Sequence, residues 1–441
     1  MGKPLLSLCM IVKDGGASLS RCLASVAGVV DEIVVVDTGS RDDSIERARA
    51  AGARVTTRAW DDDFAAARNA GLELARGEWI LLLDCDERFE PPRPAGLRDA
   101  LRRTEYLGYF LPVASELAGG ERLDSTILRL WRHSPDVRFR FPIHEQVLPD
   151  LEKVRARTGQ RFALLEELRV VHDGYTPAAI EKHGKVERNV RLFQKAVAQH
   201  PDEPYLWYKF ADFLRGQAQQ KEAARPAAER ALALCQAALA RGEGRAPYWS
   251  ELLAITCAAR LEAGALDEAL ALLSAHPPRE LEAPAYSYVA ALAREAAGDF
   301  EAALRHVEEC LTVPRRTHQT AWRPGLAGPQ AHALGARLSL KQGDPPAALA
   351  AAERALAARP GYPAAVQLKA DALVAAHRAG DAVQFLLAEA KVRPEAGRTW
   401  RQLGALLNRL GQPVQAQKCL ARAGSTTAPP SSPAASASAP A

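Results

Sequence analysis

Residues Gly77 to Glu87 read GEWILLLDCDE, and this stretch decides the fold. Trp79 to Leu83 is an apolar run of strand length with no polar alternation, the pattern of a strand buried on both faces of a parallel sheet. It runs directly into Asp84-Cys85-Asp86-Glu87. Upstream, Leu5 to Val12, Ile33 to Val36 and Arg54 to Thr57 read as three more strands. Helices separate them. Leu19, Cys22, Leu23 and Val26 fall at i, i+3, i+4 and i+7, Ser44 to Ala51 stops at Gly52, and the Ala-rich segment Phe64 to Arg76 stops at Gly77. Strands alternating with helices imply a parallel α/β sheet with right-handed crossovers.

In such a sheet, ligands bind outside the carboxyl ends of the strands. Four polar clusters fall there: Lys13-Asp14-Gly15-Gly16, Asp37-Thr38-Gly39-Ser40, Trp60-Asp61-Asp62-Asp63 and Asp84-Cys85-Asp86-Glu87. An acidic crevice repels a naked diphosphate, so a cation is needed to reconcile the two. If Asp84 and Asp86 lie in an extended segment, their side chains point the same way. They would then share one hard divalent ion through oxygen ligands, bridging a diphosphate and offsetting charge on a leaving group. Two carboxylates that close repel unless a cation or proton separates them. Plainer roles compete elsewhere. Asp37 and the residues after it also suit a turn and cap, and Asp61 to Asp63 read as a cap for the Phe64 helix.

Beyond Pro91 the pattern loosens. Tyr109 to Val113, Thr126 to Trp131 and Leu168 to Val171 read as strands of a partly antiparallel section, joined by loops carrying His133, His144 and His172. The α/β domain is taken as 1–177, followed by connecting helices over 178–240. From 241 to 424 a 34-residue period emerges, relating Gly264 to Gly298, Pro360 to Pro394 and His377 to Gly411. GDFEAALRHVEECLTVP and GDPPAALAAAERALAARP share the Gly, paired Ala, Leu and closing Pro of a tetratricopeptide helix pair. PRRTHQTAWRPGLAGP reads as an inter-repeat loop, and the Ser/Ala/Pro-rich tail 425–441 as disordered.

The 441 residues are 48% hydrophobic, enough for two or three packed domains, with a formal charge of +4 spread without a basic stripe. That argues against nucleic-acid partners. Seven scattered cysteines show no metal spacing and fit a reducing cytoplasm better than a disulfide framework. Nowhere do eighteen apolar residues run together, so no transmembrane segment is expected. VKDGGASL, after the first strand, lacks the GxGxxG turn of a dinucleotide-binding dehydrogenase.

The ordered set LSLCMIVKDGG, RCLASV, DEIVVVDTGSRDDS, DDDFAAARNAGLELARGEWILLLDCDERF and FPIHEQV resembles family 2 glycosyltransferases of the GT-A fold. It is most like the bacterial subgroup with C-terminal tetratricopeptide repeats, and covers roughly the first 175 residues. The resemblance implies a Rossmann-like nucleotide-diphospho-sugar transferase domain followed by an all-α solenoid. It also implies roles. Asp37 would contact the base or ribose, Arg68 and Asn69 would line the nucleotide-sugar pocket, and Asp84 and Asp86 would form the metal and nucleotide motif. Glu145, in His144-Glu145-Gln146, would be the general base for a single inverting displacement. Its plainer alternative is an ion pair with Arg138 or Arg140. His172 resembles a position that completes metal coordination, and an imidazole beside carboxylates would favour Mn²⁺ over Mg²⁺. The sequence departs from the family at Asp14-Gly15, and at Cys85, where Ala is usual; Cys85 is expected to pack. Arg129, Arg132, Arg138 and Arg140 face either a diphosphate or charged acceptor, or solvent.

Two functions follow. One is a metal-dependent inverting transferase moving sugar from a nucleoside-diphosphate, UDP above all, to a glycan, lipid-linked or protein acceptor. The other is an inactive scaffold that binds protein partners through its repeats.

Overall fold

A computed structural model of the chain describes residues 2–90, 96–116, 122–172, 184–217, 220–278, 284–312 and 326–425. Most of the loop PRRTHQTAWRPGLAGP and nearly all of the Ser/Ala/Pro tail lie outside the described residues. Two compact units emerge, the first running to Phe213 and the second starting at Leu214. No helix among the described residues is long and apolar enough to cross a membrane.

The first unit is built on one mixed sheet. Its strands are β1 (Leu6–Val12), β2 (Glu32–Asp37), β3 (Arg54–Thr57), β4 (Trp79–Leu82), β5 (Glu87–Glu90), β6 (Tyr106–Glu116), β7 (Arg122–Arg132), β8 (Arg161–Leu164) and β9 (Arg169–His172). They run in the order β3-β2-β1-β4-β7-β6-β9-β5, with β8 also paired to β6. The first four are mutually parallel, and β7 lies antiparallel to β4, which realises the expected switch to a partly antiparallel second half. Helices α1 (Gly16–Ser25), α2 (Ser44–Ala50), α3 (Phe64–Leu74), α4 (Leu97–Arg102) and α5 (Leu148–Thr158) cover it.

Both faces of the sheet are buried, as the apolar runs require. On one side Leu6, Leu8, Met10 and Val12 of β1 pack with Leu19, Cys22, Leu23 and Val26. On the other, Cys9, Val34, Ile80 and Leu82 pack with Ala65 and Leu72 of α3 and with Leu151 and Val154 of α5. Each such aliphatic side chain taken from water contributes about 1.5–3 kcal/mol. Cys85 packs against the first cluster, as expected. Gly77, read as a helix stop, has a different task. The α3 helix ends at Leu74, and a Cβ on Gly77 would come within 2.6 Å of Ser7 Oγ and 2.7 Å of Ser7 N, so glycine permits the close approach to β1. Two further helices, α6 (Lys185–Gln199) and α7 (Pro204–Arg215), follow β9.

The second unit is helical throughout its described residues. After α8 (Lys221–Ala240) come five helix pairs: α9 (Trp249–Glu262) with α10 (Leu266–Ala275), α11 (Pro284–Ala296) with α12 (Phe300–Thr312), α13 (Ala331–Lys341) with α14 (Pro345–Ala358), α15 (Pro363–Ala375) with α16 (Ala379–Val392), and α17 (Gly397–Arg409) with α18 (Pro413–Ser425). Each pair turns on one left-handed residue: Gly264, Gly298, Gly343, His377 and Gly411 in succession. At every one the same two hydrogen bonds close the first helix, for example Gly298 N to Glu295 O and Asp299 N to Arg294 O. These satisfy the last carbonyls of the helix in the Schellman manner. Asp299 and Asp344 then cap the second helix, accepting from Ala302 N and Ala347 N at 3.0 Å each. The 34-residue period is therefore the spacing of a turn, lengthened to 45 residues between Gly298 and Gly343.

Candidate functional site

The four strand-end loops lie at the carboxyl ends of parallel neighbours, as expected. Two of them are tied into one another. Asp14 N donates to Ser40 Oγ at 2.9 Å, and Arg41 N donates to Asp14 Oδ1 at 2.7 Å. Asp37 Oδ1 accepts from Gly39 N at 2.9 Å and Ser40 N at 3.0 Å, so its carboxylate shapes its own turn. A Cβ on Gly15 would meet Val12 Cγ2 at 2.8 Å and Leu19 Cβ at 3.1 Å, so a side chain there would force a neighbour to shift. Asp63 caps α3 through Ala66 N, as read.

The acidic motif departs from its expected geometry. Strand β4 ends at Leu82, and Glu87 N donates back to Asp84 O at 3.0 Å, closing a turn. Strand periodicity no longer applies, and the two carboxylates part company. Asp84 faces two guanidinium groups, with Arg68 Nη2 at 2.8 Å and Arg129 Nη2 at 3.7 Å. Asp86 turns to His172 at the end of β9, with Oδ2 3.2 Å from Nε2. The expected repulsion between the acids is thus met on the Asp84 side by the protein's own arginines.

Arg68 and Arg129 organise the site. Arg68 projects from α3, is buried, and donates to both Asp84 and Glu145. Glu145 therefore has an ion-pair partner, but it is Arg68 and not Arg138 or Arg140. Arg140 pairs with Asp150, and Arg138 donates to the Val137 carbonyl. Arg129 comes from β7, has no exposed surface, and meets Glu87 Oε1 at 2.5 Å. Arg132 lies over the Trp79 ring at 4.5 Å and donates to the Tyr106 and Arg103 carbonyls. Of the four arginines, Arg129 alone thus joins the acidic turn in this geometry. Burial works against a charge on Asp84, but Arg68 and Arg129 outweigh it and hold its carboxyl well below the usual range. Burial raises the neighbouring Glu87, Asp84 adds to that, and Arg129 opposes it. For His172 burial lowers the pKa, yet the hydrogen bond to Asp86 and the surrounding carboxylates hold it above the ordinary value. Asn69 spends its amide on the backbone of Phe139, donating to its carbonyl at 2.9 Å and accepting from its N–H at 2.8 Å. That clamps the segment leading to Glu145.

Glu87 carries no role in the sequence reading, though it is the third acid of the cluster that follows the strand. The signal for Arg129 was a lone guanidinium in TILRLW, a strand apolar on both sides, because such a residue is seldom buried without a partner. Among the described residues no cluster of three or more His, Cys, Asp or Glu is arranged to hold a metal. The Asp86–His172 pair does fit a divalent ion as two donors, one hard and one borderline. A hard cation bound by few side chains typically completes its shell with substrate phosphates and water.

Residues 7–168 match the model of Glycosyl transferase family 2. The chain is 38% identical over 221 residues to a TPR repeat-containing protein of Synechococcus elongatus, covering 50% of this chain and 55% of the relative. It is 26% identical over 212 residues to the SPbeta prophage-derived glycosyltransferase SunS of Bacillus subtilis, covering 47% and 48%. The chain thus spans about half the length of these curated relatives. Among solved structures it is similar to YrrB, a TPR protein with an unusual peptide-binding site, at 16% identity and a TM-score of 0.28, covering 54% of this chain and 93% of that one. It is also similar to the APC/C hetero-tetramer Cut9-Hcn1, at 10% identity and a TM-score of 0.39, covering 57% and 45%.

Proposed function

We propose, from the match of residues 7–168 to the Glycosyl transferase family 2 model, that the chain moves a sugar from a nucleoside-diphosphate donor, UDP-linked, to an acceptor hydroxyl with inversion. The acceptor is a glycan, a lipid-linked species or a protein. One observation carries this reading: Arg68 ties Asp84, on the donor side, to Glu145, on the acceptor side. A single buried cation thereby sets the two halves of a displacement in register. In this reading Glu145 accepts the proton of the attacking hydroxyl, a role that contributes about 10²–10⁴-fold. Asp37 and its turn receive the nucleoside, and Arg68 and Asp84 border the sugar diphosphate.

Asp86 and His172, with Asp84 behind them, would hold Mn²⁺ or Mg²⁺, which would offset charge on the diphosphate leaving group. Arg129 helps to keep Asp84 ionised, and Glu87 anchors the turn by accepting from Asp84 N at 2.9 Å.

The test is a panel of nucleotide sugars with Mn²⁺, read by thermal stabilisation and by turnover. The right donor at 100 times its Kd should stabilise by about 2.7 kcal/mol. Glu145→Gln should keep that stabilisation and lose turnover by about 10²–10⁴-fold. Asp86→Ala should lose the Mn²⁺ dependence. Equal turnover by wild type and Glu145→Gln would remove Glu145 from the chemistry. A second reading, a scaffold that binds protein partners, is supported by the five helix pairs of the second unit. It predicts partner capture with no turnover of any donor.

A further inference from the structure

Five non-glycine residues among those described have a left-handed backbone: Asp14, Asp62, Phe141, His144 and His377. Such conformations cost about 1–2 kcal/mol each and persist only where the surroundings enforce them. Three of them, Asp62, Phe141 and His144, lie in the loop that carries Glu145 and in the one before α3. Those loops touch, since Phe64 N donates to Pro142 O at 3.0 Å.

All three are gripped from one side. Arg191 of α6 donates to Asp62 Oδ1 at 2.9 Å and to Oδ2 at 3.0 Å. Lys195 donates to the Asp61 and Asp62 carbonyls at 3.1 and 3.0 Å. Phe141 packs edge-on against His200, centroids 5.3 Å apart, and lies 6.4 Å from the Tyr205 ring of α7. His144 stacks on Phe193 of α6 at 5.2 Å. Gln146, on the other side of Glu145, donates to Tyr205 Oη at 2.9 Å. Helices α6 and α7 begin at Lys185 and Pro204, beyond the family match that ends at 168.

We propose that α6 and α7 are part of the catalytic unit, a clasp in which Phe193 and Tyr205 are positioning residues that hold Glu145 through His144 and Gln146. The inference rests on the assignment of Glu145 as the base. Phe193 and Tyr205 hold the loop that carries Glu145, whereas the donor side is built on β1, β2 and β4.

The experiment compares full-length wild type, Tyr205→Phe, Phe193→Ala and the conservative Phe193→Tyr. Hydrogen exchange is read at residues 140–147, and UDP with Mn²⁺ is the binding probe. Tyr205→Phe and Phe193→Ala should speed exchange in 140–147 about 10-fold or more, with β1, β2 and β4 unchanged and UDP affinity within twofold. With a turned-over nucleotide sugar, kcat should fall up to about 100-fold at unchanged donor KM, the effect of a displacement near 1 Å, and Phe193→Tyr should restore it. Unchanged exchange in 140–147 overturns the clasp, as does a loss of UDP affinity in step with kcat. If exchange rises but wild type turns over no donor, the clasp stands and the transferase reading falls. If Phe193→Ala does not fold, Tyr205→Phe, which removes one hydroxyl, decides alone.

Discussion

Arg129 sits where an arginine is least tolerated, without exposed surface and within a strand of the sheet. Two acids make it tolerable, Glu87 at 2.5 Å and Asp84 at 3.7 Å. Removing one partner of such a pair leaves an uncompensated buried charge, at about 3–5 kcal/mol. Arg129→Leu should therefore lower the stability of the first unit by about that much, measured by chemical denaturation. Adding Glu87→Leu should recover a large share, because an apolar pair of similar volume is often neutral. If the single variant is as stable as wild type, Arg129 does not carry this charge balance. At this scale the sequence was legible in its residue types and less so in their pairing. The acidic motif and Glu145 could be named, but the turn at Asp84 to Glu87 sends its two aspartates to different partners. Arg68 joins residues 16 and 77 positions away, and spacing along a chain carries no information about such contacts.

Elements were easier to read wherever local chemistry fixes them. Apolar runs placed β1, β2 and β4 nearly to the residue, because a strand buried on both faces needs uninterrupted apolar side chains. The short strands β5 and β8 went unread, since ERFE and RFAL owe their pairing to β9 and β6 more than to any pattern of their own. In the helical unit, the five left-handed turn residues explain why a 34-residue period was visible: glycine is the cheapest occupant of that conformation. Gly343→Ala should lower the stability of this unit by about 1 kcal/mol, and His377→Gly should raise it by about 0.5 kcal/mol. Both are measurable as shifts of its unfolding transition. Opposite signs are the signature of a backbone effect. If both substitutions destabilise, the His377 side chain contributes more than its turn.

For the whole molecule, pH is the simplest lever. Burial pushes His144 down to about 3, from 6.5 in the open chain, and Lys209 adds to the shift. The folded state thus keeps it neutral while the unfolded state takes up a proton below pH 6.5. A depressed histidine pKa contributes no penalty above 6.5 and a growing one as pH falls toward 3. Between pH 6.5 and 5 that amounts to about 2 kcal/mol. His144→Asn, which tolerates the same backbone and cannot titrate, should flatten this part of the stability profile. An unchanged slope would place the proton uptake elsewhere. The cysteines have a consequence of a different kind. Cys9, Cys22 and Cys85 belong to the first unit and Cys235, Cys257, Cys310 and Cys419 to the second, and all but the half-buried Cys85 are buried. Desolvation pushes the thiols of Cys9, Cys85, Cys257 and Cys310 up to about 12. Since only a thiolate reacts, alkylation of the six buried cysteines in the native protein must wait for each site to open. The chain therefore carries a set of internal clocks, one group per unit, whose labelling rates time the opening of each without any added probe.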